Sequence, residues 1–291
     1  MRSILRSGDL ELAATLKLGS RRRYAGLGTG EQRSPEAGGG IEFADYRPYA
    51  PGDDLRRVDW DVWRRLGRLY VRIPAEEREL SLIILLDASR SMSHGEPQKL
   101  EHAKRLACVL AATALCGGHR AGLCVLGPGL VEVLRPSRGK SSLEAFERAA
   151  ASVGPLASFE PLAAAAGFLA RYARRGMVAL ISDLMFPQWR TLLGALSSSG
   201  CETQVLQVLS PDELSPEIRG EVTFVDSEDL SEAPVHADAT ILARYAAELR
   251  SFLESVSSAS AAMGLGWSLV PTDGDLSRLF RDELRAGGFL C

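Results

Sequence analysis

Residues 82–93 read LIILLDASRSMS, and this stretch decides the fold. The apolar run Leu82 to Leu86, bounded by Ser81 and Asp87, has the length and composition of a buried β-strand. Asp87 then stands at the strand's carboxyl end, where open α/β sheets place their ligands. Ser89 and Ser91 follow at alternate positions. One carboxylate and two hydroxyls from a single short turn are hard oxygen donors, suited to Mg²⁺, with Mn²⁺ or Ca²⁺ as alternatives. The plainer reading is that Asp87 caps the next helix while the serines bond loop backbone. A second apolar run closing on an acid, MVALISD at Met177 to Asp183, favours the ligand reading, because two strand tips carrying carboxylates can face one cleft.

Outward from these strands the pattern alternates. Helices are predicted at Gln98 to Cys116, Leu143 to Val153, Pro161 to Arg174, Pro187 to Ser198, Ala237 to Met263 and Leu276 to Ala286. Strands are predicted at Leu80 to Leu86, Ala121 to Leu126, Leu130 to Leu134, Gln204 to Leu209, Glu221 to Val225 and Trp267 to Val270, besides the run to Asp183. Such alternation implies an α/β fold with a parallel-dominated sheet and helices on both faces. Upstream, Leu5, Leu10, Leu12, Ala13, Leu16 and Leu18 mark one face of a short helix that docks most simply on its own domain. The Gly-rich stretch Gly26 to Gly40 follows. Residues 1–78 are therefore read as an N-terminal accessory segment, and 79–291 as the main domain.

With 291 residues, 46% hydrophobic and 24% charged, the chain has the composition of an ordinary globular protein. A net charge of −3 argues against non-specific nucleic-acid binding, and the basic clusters Arg21 to Arg23, Arg64 with Arg65 and Arg174 with Arg175 carry no interleaved aromatic stripe. The five cysteines show no CxxC spacing and read as reduced thiols. The four histidines lack zinc-site spacing, and His94 reads as a plain loop residue. No run approaches the roughly eighteen apolar residues of a membrane helix, and the N-terminus lacks a secretory apolar core, so a cytoplasmic location is expected.

A second informative region is Tyr46 to Trp60, dense in both charge signs. Pro48, Pro51 and Gly52 punctuate a turn, and Asp53 and Asp54 lie close to Arg56 and Arg57. One reading is a self-neutralising loop that packs Trp60 and Trp63 on the main domain. The other is a partner surface built from Arg47, Asp53, Asp54, Arg56, Arg57, Asp59 and Trp60, with arginine forks for carboxylates and tryptophan as anchor.

Two resemblances sharpen these readings. LLDASRSM followed by LISD resembles the metal-ion-dependent adhesion site of von Willebrand factor type A domains. The resemblance implies a von Willebrand factor A-like, Rossmann-like sheet whose metal is held by Asp87, Ser89, Ser91 and Asp183, with a threonine from a second loop. That threonine has no clear equivalent, and Ser158 in GPLASFEPL at Gly154 to Leu162 is the hydroxyl near the expected place. In addition, IEFADYRPYAPGDDLRRVDWDVWRRLGRLYVR at Ile41 to Arg72, followed by EEREL at Glu76, resembles the bacterial domain of unknown function 58. This likeness runs from Glu42 and Phe43 through GDDLRRVDW, the DxSxS loop and the later SD to the final small helix. It implies a module that acts with a MoxR-type AAA+ ATPase in assembling or maturing a client protein.

The expected function is thus a non-enzymatic, metal-dependent interaction module in which a partner carboxylate completes the coordination. An interaction domain with a vestigial metal site is the alternative, for which the missing threonine argues. A metal-dependent hydrolase is the third reading. Against it, Ser89 stands where a second acid would act as general acid/base, and neither a GxxxxGK[ST] loop nor a GxSxG elbow is present.

Overall fold

The structure, a computed structural model, describes residues 3–19, 43–74, 80–156, 158–173, 176–225 and 231–291. Arg21 to Arg23, the Gly-rich stretch, Glu42, residues 76–79 of the EEREL motif and the pair Arg174 and Arg175 lie outside the described residues. Two compact units emerge, and the N-terminal boundary differs from the expected accessory segment 1–78: residues 3–19 fold with 80–291, and 43–74 form the other unit. The reason is the apolar stripe of helix α1 (Asp9–Ala14), which packs on a helix of the larger unit and buries Leu12 and Ala13, with Leu16 and Leu18 buried just beyond. Asp9 locks this contact by accepting two hydrogen bonds from the Arg105 guanidinium, at 2.9 and 2.7 Å. Leu18 then bridges to Leu290, bringing residues near the two ends of the chain together.

In the smaller unit, β1 (Phe43–Pro48) leads through helix α2 (Trp60–Leu66) to β2 (Tyr70–Pro74), and the two strands pair antiparallel. Val58 and Val71 form a β-bridge and are buried.

The larger unit is built on a six-stranded sheet. In chain order its elements are β3 (Ser81–Asp87), α3 (Lys99–Cys116), β4 (Arg120–Leu126), β5 (Leu130–Ser137), α4 (Lys140–Ser152), α5 (Pro161–Tyr172) and β6 (Met177–Ser182). Then come α6 (Trp189–Ser198), β7 (Glu202–Leu209), α7 (Pro211–Leu214), β8 (Gly220–Val225), β9 (Glu232–Ala237), α8 (Ala239–Ala262) and β10 (Gly266–Pro271), followed by a helical segment at 276–286 whose middle, Leu279–Glu283, is a π-turn. The sheet order is β10-β7-β6-β3-β4-β5, parallel throughout except for the antiparallel edge pair β4 and β5.

Strand β3 shows why its apolar run is unbroken. Leu82, Ile84 and Leu86 enter the core shared with α1, α3 and α4, whereas Ile83 and Leu85 enter the core shared with α5, α6 and α8. A strand covered on both faces needs apolar side chains at every position. Helix α3, which follows β3, and helix α6, which follows β6, therefore lie on opposite faces of neighbouring strands. This reversal is the topological switch point at which α/β sheets open a cleft. Two corrections concern the strands outside the sheet. The predicted strand near Glu221 to Val225 does not join the central sheet but pairs with β9 in a separate two-stranded ribbon. Strand β9, sequence EAPVHA, is largely exposed and interrupted by Pro234, so it lacks the alternation that marks a half-buried strand.

Buried His102 on α3 supplies a stability prediction. Burial foremost, then the charges of Arg105 and Arg6, push its pKa down to about 4, with Asp273 and a backbone bond to Thr272 acting in the other direction. The unfolded chain takes up this proton near the ordinary value of about 6.5, before the folded chain does. The neutral-histidine contribution is therefore complete above that value and is lost as pH falls toward 4, by at most about 3 kcal/mol. In urea titrations between pH 7 and 4 the stability of the wild type relative to His102→Gln should fall by this amount, a difference from which the groups common to both proteins cancel.

Candidate functional site

Strands β3 and β6 run parallel in register, Leu86 beside Ile181, so the residues that follow, Asp87 and Ser182, emerge side by side. Ser182 Oγ donates to Asp87 Oδ2 at 2.5 Å, while the Ser89 N–H donates to Asp87 Oδ1 at 2.8 Å. Asp87 is completely buried, and Asp183 is 1% exposed. Burial foremost, and then the nearby Asp183 charge, push the Asp87 carboxyl up to about 7, against the hydrogen bonds that hold it down. In the DxSxS turn the hydroxyls of Ser89 and Ser91 lie 2.9 Å apart. Asp87, Ser89, Ser91 and Asp183, the residues predicted from sequence, thus gather at the switch point.

Ser158 belongs to the neighbouring loop. Its loop passes close by, with the Leu156 N–H donating to the Ala88 carbonyl at 2.7 Å, but the Ser158 side chain is exposed at the surface.

Sequence reasoning also missed the cation of this site. Lys99, the first residue of α3, is fully buried and donates to Asp183 Oδ2 at 2.7 Å and to Glu213 Oε1 at 2.5 Å. Burial alone would depress its pKa, but the charges of Asp183 and Glu213 outweigh it and hold the ammonium above its ordinary range. The other Asp183 oxygen accepts from the Met185 N–H at 3.0 Å, and its carbonyl accepts from Gln207 Nε2 at 3.1 Å. Glu213 is fixed in turn by a capping box on α7, where its Oε2 accepts from the Ser210 N–H at 2.8 Å and Ser210 Oγ accepts from the Glu213 N–H at 3.3 Å. The signal for Glu213 was legible as SPDE at Ser210 to Glu213. The signal for Lys99 was fainter: a cation in the first helical turn opposes the macrodipole, so a lysine there needs acidic partners from elsewhere.

The donor types match the dication site that the resemblance implies, but their surroundings do not. A fully buried ammonium already bonds the second carboxylate, and both oxygens of the first accept protein donors. Among the described residues, no three His, Cys, Asp or Glu side chains form a group that could hold a metal ion. As built, the residues fit an internal cation rather than Mg²⁺.

The seven residues predicted as a partner surface divide into two kinds. Arg47 and Asp53 form a forked ion pair at 2.6 and 2.5 Å that lowers the Asp53 pKa to about 2. Asp54 caps the 3₁₀ turn Leu55–Arg57 through the Arg56 N–H, and Asp59 caps α2 through the Asp61 and Val62 N–H groups while accepting from Tyr46 OH. These acids hold the unit itself together. Arg56, Arg57 and Trp60 are exposed, and Trp60 stands edge-on to exposed Trp63 with ring centroids 6.1 Å apart.

The motif order matches these positions in a known family. The family described as "Protein of unknown function DUF58" matches residues 45–252. The chain belongs to the DUF58 family. An uncharacterized protein of Mycobacterium tuberculosis is 30% identical over 229 residues, covering 76% of this chain and 72% of the relative. Among solved structures, the conserved hypothetical protein BatB from Bacteroides thetaiotaomicron is 16% identical, covering 71% of this chain and 98% of that one with a TM-score of 0.46. A von Willebrand factor type A protein from Catenulispora acidiphila is 18% identical, covering 48% of this chain and 35% of that one with a TM-score of 0.37. The DUF58 chain has an α/β architecture with a mostly parallel central sheet, carried by its own strand order and switch point. No helix among the described residues is long and apolar enough to cross a membrane.

Gly95, between the DxSxS turn and α3, has φ +92°, and an added Cβ would lie 2.4 Å from Ser210 Cβ. Gly95→Ala in the DUF58 chain should therefore disturb the capping box that holds Glu213 and cost about 1–3 kcal/mol. Gly194→Ala on α6, where nothing lies within 4 Å of the new methyl, should instead stabilise by up to about 1 kcal/mol. Chemical denaturation of both variants checks the pair.

Proposed function

We propose that this DUF58 chain is a non-enzymatic protein-interaction module that works with a MoxR-type AAA+ ATPase in assembling or maturing a client protein. The observation that carries the interaction reading is the exposed tryptophan and arginine surface of the smaller unit. Trp60 is 53% and Trp63 48% exposed, and Leu55 and Leu66 of the same unit are exposed as well. Arg56, Arg57, Arg64 and Arg65 surround them in sequence and are exposed as well. Asp53, Asp54 and Asp59 are committed to an ion pair and to helix caps. Arg64 pairs loosely with Asp61 at 3.8 Å. A surface of aromatic anchors and exposed guanidinium groups has the composition of an interface hot spot for a partner rich in carboxylates.

The strand-tip site supports the non-enzymatic part. Its two carboxylates are each engaged by protein donors on both oxygens. A general base or nucleophile needs an oxygen that can reach substrate, and these are turned to internal partners. The metal-dependent form of the proposal, with Mg²⁺ held by Asp87, Ser89 and Ser91, draws support from the adjacent serine hydroxyls but requires Lys99 to give up Asp183. The two forms differ in one measurable respect.

The test is binding of the purified chain to the MoxR-type ATPase from the same genome, in Mg²⁺ and after chelation of divalent ions. Retention in both conditions is expected, with the ATPase's own nucleotide requirement controlled by a metal-independent immobilised preparation. Joint replacement Trp60→Ala and Trp63→Ala should weaken binding by roughly 30-fold or more, the scale of hot-spot truncation. Undiminished affinity of that folded variant would remove the tryptophan surface from the interface.

A further inference from the structure

We propose that the ammonium of Lys99 is the resident cation of the strand-tip site, doing in this chain the electrostatic work of a divalent metal and excluding one from Asp183. The inference goes beyond the partner reading and does not depend on which protein binds.

It rests on geometry. Lys99 Nζ lies 2.7 Å from Asp183 Oδ2, and the pair is buried almost completely, at 0% and 1% exposure. A metal bound through Asp183 would have to displace a buried, hydrogen-bonded charge or lie beside it at like-charge cost. The same ammonium reaches Glu213 Oε1 at 2.5 Å. It therefore bridges two carboxylates that belong to different elements, the end of β6 and helix α7. Bridging anions contributed by separate elements is what a structural dication does, and a lysine performs it with one charge and three donors.

The surrounding chain is shaped to keep the ammonium in place. Glu213 divides its oxygens, Oε1 on Lys99 and Oε2 on the Ser210 N–H, so its carboxylate cannot turn away without opening the capping box. Gly95 permits the loop before α3 to pass against Ser210, which brings the helix start carrying Lys99 to the acids. The DxSxS hydroxyls close on each other instead, Ser89 Oγ to Ser91 Oγ at 2.9 Å.

The inference implies that the wild-type chain is indifferent to divalent ions and that removing the ammonium creates a metal site. The full chain, stripped with chelator, is titrated calorimetrically with MgCl₂ and MnCl₂ and melted with and without each ion. For the wild type, no saturable heat and an unshifted Tm are expected up to millimolar metal. For Lys99→Met, saturable binding is expected together with a rise in Tm on the order of 3 °C at tenfold excess over Kd. Saturable binding by the wild type that Asp87→Asn abolishes would overturn the proposal, as would a folded Lys99→Met that binds no metal. Should Lys99→Met fail to fold, the wild-type titration with its Asp87→Asn control decides alone: silence supports the internal cation, and Asp87-dependent binding refutes it.

Discussion

The parallel pairing of β3 with β6 is the constraint on which the rest depends. Because the two strands run flush in register, the acids that end their apolar runs arrive together in a space that water does not reach. Carboxylates in such surroundings must be neutralised or matched. The chain does both. Asp87 takes neutral donors and has a raised pKa, while Asp183 takes an ammonium from the start of α3. The loop after β7 is recruited to the same end, since Glu213 supplies the second anion for that ammonium. Strand order, loop path and helix start are thus tied by one charge balance.

The alternating pattern made much of this legible. The apolar runs at 82–86 and 177–181 read as buried strands, and each closed on a carboxylate whose position at the sheet edge followed from fold logic. What the pattern could not convey was long-range partnership. Lys99 is 84 residues from Asp183 and 114 from Glu213, and nothing local distinguishes it from any lysine at a helix start. The exposed side chain of Ser158 was hidden for a related reason, since loop direction depends on packing rather than on residue type. Strand β9 escaped because an exposed ribbon with a proline carries no hydrophobic period.

The smaller unit illustrates how one acidic and basic cluster can serve two ends. A stretch dense in both signs read first as a self-neutralising loop and, as the sharper alternative, as a contact surface. The structure divides those roles among individual residues. Aspartates cap turns and lock Arg47, which fixes the backbone of the unit, and this leaves the aromatic rings and the remaining guanidinium groups facing outward.

Strand β3 gives its side chains alternately to the two cores of the larger unit. Neither layer of helices has a wall of its own, because loss of this one strand strips the backing from both. Melting of the larger unit should accordingly proceed as one cooperative event, with no stage at which half of it survives alone.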